Sequence, residues 1–324
     1  MSTSARSAQP AGLGRLGYGG ASIGNLYREV ADADAEAALD AAWAGGIRYF
    51  DTAPHYGLGL SERRMGEFLR GRPRDEYLLS TKVGRVLEPN PDFSGGDDLA
   101  HEYAVPDRTV RRFDPSEAGV RRSIEDSLER LGLDRIDIAY LHDPDAYDLD
   151  RGLAEGLPAL AKLRDEGVVG AIGIGTNSAD AAARAVREGD LDLVMIAGRF
   201  TLLEQPALAE LLPLCESRGV GVVAAAVFNS GLLATASPEA GARYDYAAVP
   251  SEVLARARRL AEACAAEGVE LPVAAIQYPL RHPAVRSVVV GSARASSVEQ
   301  NLARMAEPLP EEFWTSLAEQ GLIP

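Results

Sequence analysis

A short apolar run followed by a helix-patterned stretch recurs eight times along this chain, and that rhythm restricts the possible folds more than any other feature. The apolar runs lie at Leu16–Tyr18, Ile47–Phe50, Tyr77–Ser80, Ile136–Leu141, Val169–Ile174, Leu193–Ile196, Gly221–Ala226 and Ser287–Val290. Helical patterning follows most of them, near Asp34–Ala44, Ser61–Leu69, Pro115–Leu131, Ala154–Glu166, Ala179–Glu188, Pro206–Arg218, Ser251–Glu267 and Ser297–Met305. In the third stretch Val120, Ile124, Leu128 and Leu131 share one face, with Glu125, Asp126 and Glu129 elsewhere. Two starts carry cap signals: Asp114-Pro115 predicts an acidic N-cap with proline at the first helical position, and Ser297–Gln300 predicts a capping box. Strands alternating with helices imply a parallel sheet with helical crossovers. Eight such units in 324 residues predict an α/β fold, a single-domain (β/α)₈ TIM barrel over 1–324, with a doubly wound open sheet as the structural alternative.

Composition narrows the function classes. Acidic residues outnumber basic ones 48 to 33, a formal charge of −15, which argues against nucleic acid or an anionic membrane as partner. The longest apolar run, Val222–Phe228, is too short to span a bilayer, and Met1–Gly12 has no apolar core of a signal peptide. Cys215 and Cys264 both have apolar neighbours, which fits buried thiols in a reducing, cytoplasmic compartment.

Two stretches break the rhythm, Arg85–Asp114 and Asn229–Pro250. Both follow predicted strands, so in a barrel both overhang the active-site face. The Pro/Gly/Asp-rich composition of the first predicts a loop that adds little to the core.

Polar residues gather just past the strand ends. Asp51 closes the second run, Tyr56 follows in Asp51-Thr52-Ala53-Pro54-His55-Tyr56-Gly57, Lys82 closes the third run and His142 the fourth. Singly, each has a bland reading: a turn or cap, a packing aromatic, a solvated base. Together they suit one chemistry. A phenol is a poor base near neutral pH, a neighbouring ammonium stabilises its phenolate, an acid can compensate the lysine, and a histidine can hydrogen-bond the reacting oxygen. With no nucleophile for a leaving group and no metal-ligand spacing, the quartet suits carbonyl–alcohol interconversion by hydride transfer with a cofactor.

The chain resembles the aldo-keto reductase family in Asp51–Gly57, Ser61-Glu62, Ser80-Thr81-Lys82, Ser127–Leu131, Asp137–His142, Gly173–Asn177, Gly291-Ser292 and Asn301, in family order over about residues 14–306. The resemblance implies a (β/α)₈ barrel, a catalytic tetrad of Asp51, Tyr56, Lys82 and His142, and a nicotinamide dinucleotide, NAD or NADP. Segments Gly19–Tyr27, Ala197–Gln205, Val227–Leu233 and Trp314–Leu322 are similar to a bacterial branch of the family that oxidises aldoses or pyridoxal. That similarity implies oxidation of an aldose of the L-fucose or D-threo type at C1 to a lactone, or aldehyde reduction. The alternatives are pyridoxal 4-dehydrogenase-like activity, a dinucleotide-binding regulatory protein with little turnover, and, more weakly, an aldolase.

By the same resemblance, cofactor contacts fall to Gly20 and Ala21, to Thr176 and Asn177 for the carboxamide, and to Ser230 and Gly231. Gly291, Ser292, Arg294, Ser297, Gln300 and Asn301 follow the eighth strand, where a barrel commonly holds phosphate. Ala197 and Ala225 stand where many relatives carry a Gln and an aromatic ring, with Arg199, Phe228 and Asn229 as the candidate replacements. Tyr27, His55 and the Arg85–Asp114 loop are the candidate substrate contacts. Gly12-Leu13-Gly14-Arg15-Leu16-Gly17 matches a dinucleotide fingerprint in letters but precedes a strand, so it is discounted. Neutral Gly291 and Ser297, at places where NADP-specific relatives commonly carry bases, predict NAD preference or dual use.

Overall fold

In the computed structural model, which describes residues 12–245 and 247–324, eight parallel strands close into a barrel. They are β1 (Leu16–Gly19), β2 (Tyr49–Asp51), β3 (Leu78–Val83), β4 (Ile136–His142), β5 (Val169–Thr176), β6 (Leu193–Ala197), β7 (Gly221–Ala225) and β8 (Val285–Val290). Each pairs with its sequence neighbours, and β8 returns to β1 through Leu16–Val288 and Tyr18–Val290. The open-sheet alternative is thereby excluded. Around the barrel run α1 (Asp32–Ala44), α2 (Leu60–Leu69), α3 (Glu117–Leu131), α4 (Leu157–Asp165), α5 (Ala179–Glu188), α6 (Leu211–Arg218), α7 (Ser251–Ala266), α8 (Leu271–Gln277), α9 (Ala295–Ala306) and α10 (Glu311–Glu319). Among the described residues no helix is long and apolar enough to cross a membrane. The signal-peptide reading of Met1–Gly12 falls almost wholly outside the described residues.

Strand alternation divides the apolar residues into two cores. One face of each strand meets the helices, where Ile124 and Leu131 of α3 pack in one cluster with Leu79, Ala139 and Leu141. The other fills the barrel interior with Tyr49, Ile138, Tyr140, Leu193, Met195, Val223 and Val289. Such packed interiors leave the strand C-termini as the place for chemistry.

Both cap expectations are corrected. α3 starts at Glu117, and Ser116 is its N-cap, accepting from the Gly119 amide at 3.2 Å. The Asp114 carboxylate is taken instead by the Ser116 hydroxyl at 2.6 Å. α9 begins at Ala295, two residues before Ser297, with Arg294 at the N-cap and no side-chain cap bond.

The first excursion is more ordered than its composition predicts. Arg85–Pro89 pairs antiparallel with Thr109–Phe113, and Asp97–Asp98 with Tyr103–Pro106. Tyr103 and Val105 form a small core with Leu58, against which Leu26, Tyr56 and Leu87 pack. The expectation that this stretch adds little to the core is therefore overturned. In the second excursion Arg243–Tyr244 pairs with Ala247–Ala248.

Candidate active site

The strand ends deliver side chains in pairs, because residues two apart on a strand share a face. β2 presents Tyr49 and Asp51, β3 presents Ser80 and Lys82, and β4 presents Tyr140 and His142. Pairing fixes their heights: Asp51 lies beside Ser80, and Lys82 beside Tyr140. Lys82 Nζ lies 2.7 Å from Asp51 Oδ2 and 3.0 Å from the Thr52 carbonyl oxygen, and both side chains of the ion pair are almost wholly buried. The ammonium is 4.6 Å from the centre of the Tyr56 ring. The His142 ring stands edge-on to Tyr56 at 5.9 Å between centres. The four residues expected to act together thus meet at one point.

Their protonation follows from burial. Desolvation pushes the imidazole of His142 well below its ordinary value, helped by the positive charges of Arg85 and Lys82. His55 is driven down in the same way, by desolvation first and then by Arg85 and Arg111. Both rings are therefore neutral near pH 7, able to donate or accept a hydrogen bond. Beside them Asp143 accepts from Arg85 Nη2 at 2.6 Å, while burial raises its carboxyl above the ordinary range.

These residues form one end of an elongated cavity of about 640 Å³. At this end it is bordered by Leu26, Tyr27, His55, His101, Glu102, Tyr103 and Asp143. Both candidate contact residues outside the first excursion, Tyr27 and His55, are among them. The first excursion is tied in here: the Tyr27 amide donates to the Glu102 carbonyl at 2.6 Å, and the His55 ring meets Tyr103 edge-on at 5.3 Å. The sequence singled out this excursion as a whole, but His101, Glu102 and Tyr103 gave no separate signal.

From there the cavity passes Ala21, Thr176 and Asn177, the floor residues Ala197 and Ala225, and Phe228, Ser230 and Gly231. It ends at Gly291, Ser292, Ser297, Gln300, Asn301 and Arg304. A dinucleotide fits this shape and this donor set. The length joins the Tyr56 end to the uncapped start of α9, and the lining offers hydroxyls and amides rather than carboxylates at that end. Gly291 lets the walls close: a Cβ there would lie 2.3 Å from the Gly19 carbonyl oxygen.

Four expected cofactor contacts do not line the cavity. Gly20 faces the strand layer, its amide donating to the Asp51 carbonyl oxygen at 2.7 Å, and a Cβ there would meet Ser61 Oγ at 2.5 Å. Arg199 is spent on structure, bonding the Asn177 carbonyl at 2.8 Å, Glu204 at 3.2 Å and Asp245 at 2.7 Å. It latches the second excursion, which Tyr244 also ties to Glu204. Asn229 is buried beneath the turn with φ of 46°. Arg294 is exposed, its amide donating to Ser292 Oγ at 3.1 Å. Arg304, which the sequence gave no reason to choose, lines the cavity instead and donates to Asn301 Oδ1 at 3.2 Å.

Comparison with known proteins agrees with this geometry. The family model described as the aldo/keto reductase family matches residues 15–320. A D-threo-aldose 1-dehydrogenase of a Pseudomonas species is 54% identical over 327 residues, covering 100% of this chain and 99% of the relative. A pyridoxal 4-dehydrogenase of Microbacterium luteolum is 41% identical, covering 95% of this chain and 94% of that one. Among solved structures, an aldo-keto reductase of Bacillus halodurans in its holo form superposes with a TM-score of 0.74 at 27% identity, over 96% of this chain and 92% of that chain.

Proposed function

The chain belongs to the aldo/keto reductase family of NAD(P)-dependent oxidoreductases, and from that premise we propose that it oxidises an aldose of the L-fucose or D-threo type at C1 to the lactone. The observation that carries the reading is the buried Asp51–Lys82 pair under the Tyr56 ring, with neutral His142 facing it. The D-threo-aldose dehydrogenase that matches the chain end to end supports the substrate.

A nicotinamide dinucleotide held in this cavity would supply the acceptor for the hydride lost from C1. Tyr56 takes the proton of the C1 hydroxyl. Lys82 favours the phenolate that must exist before that transfer, and Asp51 keeps Lys82 charged and in place. His142 donates a hydrogen bond to the reacting oxygen and positions it. Tyr27 and His55 contact the rest of the sugar, and the first excursion shields the reacting end from water. Thr176 and Asn177 would hold the carboxamide. Ser230 and Gly231 would hold the pyrophosphate, and Ser292, Ser297, Gln300 and Asn301 the adenosine. With Gly291 and Ser297 neutral, NAD is preferred or both dinucleotides serve.

A second reading, oxidation of pyridoxal, is favoured by the aromatic wall at the reacting end. Tyr103 lies stacked on Tyr56 at 6.2 Å and could receive a pyridine ring. The 41% identical relative carries that activity in its name. We also place the protein in the cytoplasm, consistent with Cys215 and Cys264, free, buried and pushed up to about 12 by desolvation. The whole chain would act as one catalytic unit, with excursions 85–114 and 229–250 walling the site.

The test is a panel of L-fucose, other aldoses and pyridoxal with NAD⁺ and NADP⁺, read at the absorbance of the reduced nicotinamide. Turnover of L-fucose that greatly exceeds pyridoxal supports the first reading. Pyridoxal oxidation without aldose oxidation supports the second.

A further inference from the structure

The layer beneath the tetrad is polar, where a barrel interior is ordinarily filled by branched aliphatic side chains. Tyr49, Ser80 and Tyr140 lie one step below Asp51, Lys82 and His142 on the same three strands, and all three are wholly buried. The chain makes room for the two rings. A Cβ at Gly17 would stand 2.6 Å from Tyr49 Cδ1, and one at Gly173 would stand 2.8 Å from Tyr140 Cδ1. Buried hydroxyls cost free energy unless bonded, so an arrangement of three calls for a reason.

Their bonds form a line. Tyr140 Oη lies 3.2 Å from Tyr49 Oη, Tyr49 Oη 3.0 Å from Ser80 Oγ, and Ser80 Oγ 2.7 Å from Asp51 Oδ1. Proton counting gives the line a direction. An ionised carboxylate only accepts, so the single hydroxyl proton of Ser80 goes to Asp51. Ser80 must then accept from Tyr49, and Tyr49 from Tyr140. All three O–H dipoles point at Asp51 Oδ1, while Lys82 holds Oδ2. Burial raises both tyrosines far above their ordinary range, so they stay protonated as donors.

We propose that Ser80, polarised by Tyr49 and Tyr140, is a positioning residue that locks the Asp51 carboxylate onto Lys82 and thereby sets the ionisation of Tyr56. The inference rests on Tyr56 being the acid/base group. The physical link is short. With Oδ1 of Asp51 engaged by Ser80 and Oδ2 by Lys82, the carboxylate is held in one orientation, and its charge is shared rather than concentrated on Lys82. Without the Ser80 proton, Asp51 neutralises the ammonium more fully, and the pull of Lys82 on the Tyr56 phenolate weakens. Other titratable groups border Tyr56: His55 on its own loop, His142 and Asp143 at the end of β4, and His101, Glu102 and Tyr103 on the first excursion, with Arg85 and Arg111 behind the histidines. None of these groups is altered by changing Ser80.

The test is a pH titration of Tyr56 itself, taken as the ultraviolet difference between the protein and its Tyr56→Phe variant, repeated in Ser80→Ala, Tyr49→Phe and Tyr140→Phe backgrounds. It requires no substrate. Ser80→Ala is expected to move the Tyr56 titration up by about 0.5 to 1 pH unit, Tyr49→Phe less and Tyr140→Phe least, with Ser80→Thr returning toward the parent. The alkaline limb of aldose oxidation should follow the same order, with KM for the sugar little changed. A folded Ser80→Ala protein whose Tyr56 titrates within about 0.2 unit of the parent overturns the proposal, as does an inverted order of the three variants. If Ser80→Ala does not fold, Tyr49→Phe decides alone, and no shift there is likewise fatal. Full turnover by Tyr56→Phe defeats the acid/base reading, whereas an inactive Tyr56→Phe with an unmoved Ser80→Ala defeats only the present inference.

Discussion

Arg111 donates from Nη2 to the carbonyl oxygen of His55 at 2.9 Å, across 56 residues of chain. His55 is the neighbour of Tyr56, so the far strand of the first excursion grips the catalytic loop directly. The same guanidinium lies 2.5 Å from Asp98 Oδ2, and this pair is almost fully buried. Asp98 in turn bonds His101 at 2.8 Å, which lines the substrate end.

This clamp predicts the effect of Arg111→Met. Asp98 would be left as an uncompensated buried charge, which costs about 3–5 kcal/mol when one partner is removed. The variant should unfold at lower temperature and show a KM for the sugar raised by roughly tenfold, equivalent to about 1.4 kcal/mol. Dinucleotide affinity, measured by fluorescence titration, should be nearly unchanged, because the clamp borders only the reacting end. An unchanged KM in a stably folded variant would contradict the link.

Tyr56→Phe removes the one hydroxyl assigned to proton transfer and leaves the ring in its contacts with Tyr103 and His142. Positioned general acid/base groups contribute roughly 10²–10⁴ in rate. We expect kcat to fall at least about 100-fold, with dinucleotide binding intact. Steady-state kinetics alongside the same fluorescence titration check both halves.

Lys82→Met separates stability from chemistry. Alone, it strands Asp51 in the barrel interior and should cost several kcal/mol, on the order of 3–5. Replacing both members, Lys82→Met with Asp51→Leu, should restore most of that stability, since apolar groups of similar size often replace a buried pair without loss. Activity should return in neither variant. Denaturant melts of the three proteins, compared with their turnover, test the distinction. Equal stability of the single and double variants would show that the pair is not desolvated as the geometry implies.

His55 and His142 give the protein an acid limit. Both have folded values depressed below the ordinary 6.5 by burial. The unfolded chain therefore takes up protons first as pH falls, and stability drops with it. Their contribution is complete above about 6.5 and is lost progressively below it, by up to about 1.4 kcal/mol per pH unit for each ring. Melting temperature between about pH 7 and pH 5.5 should fall more steeply than in a His55→Asn variant that remains folded. Parallel slopes would show that His55 is not the group resisting protonation.

The sequence made the barrel legible because strands buried on both faces must read as apolar runs, and three of the four catalytic candidates close one of them, with Tyr56 in the loop after the second. Asp51, Lys82 and His142 need only that local reading. Other features depend on facts a single segment does not hold. The polar layer of Tyr49, Ser80 and Tyr140 exists through register, Asp51 beside Ser80 and Lys82 beside Tyr140, while the separate runs YFD, LLSTK and IAYLH give no hint of it. The hairpins of the first excursion pair residues 85 and 113, too far apart for a turn signal. α8 lacks a polar face because every residue from Leu271 to Gln277 is buried, so no amphipathic period marks it. Arg199 looked available as a cation by its position after β6, but its partner Asp245 is 46 residues away.

We expect cofactor choice to turn on Arg304. NADP differs from NAD by a 2′-phosphate, which a selective site meets with charge-assisted bonds from Arg or Lys. Of the residues at that end of the cavity, Gly291, Ser292, Ser297, Gln300 and Asn301 are neutral, and Arg304 is the basic one. It lies one helical turn past Asn301, bonded to its Oδ1, with its ionisation held below the ordinary range by burial. A single guanidinium already engaged with Asn301 would attract the phosphate without enclosing it. The ratio of kcat/KM for NAD⁺ to that for NADP⁺, with one shared sugar, should therefore favour NAD or lie within about tenfold of unity, about 1.4 kcal/mol. Arg304→Ala should lower kcat/KM with NADP⁺ by at least about tenfold while changing that with NAD⁺ by less than about threefold. Arg294→Ala, at an exposed helix cap outside the cavity, should change neither. If Arg294→Ala abolishes NADP⁺ use and Arg304→Ala does not, the phosphate lies against the start of α9, and the role given to Arg304 is wrong.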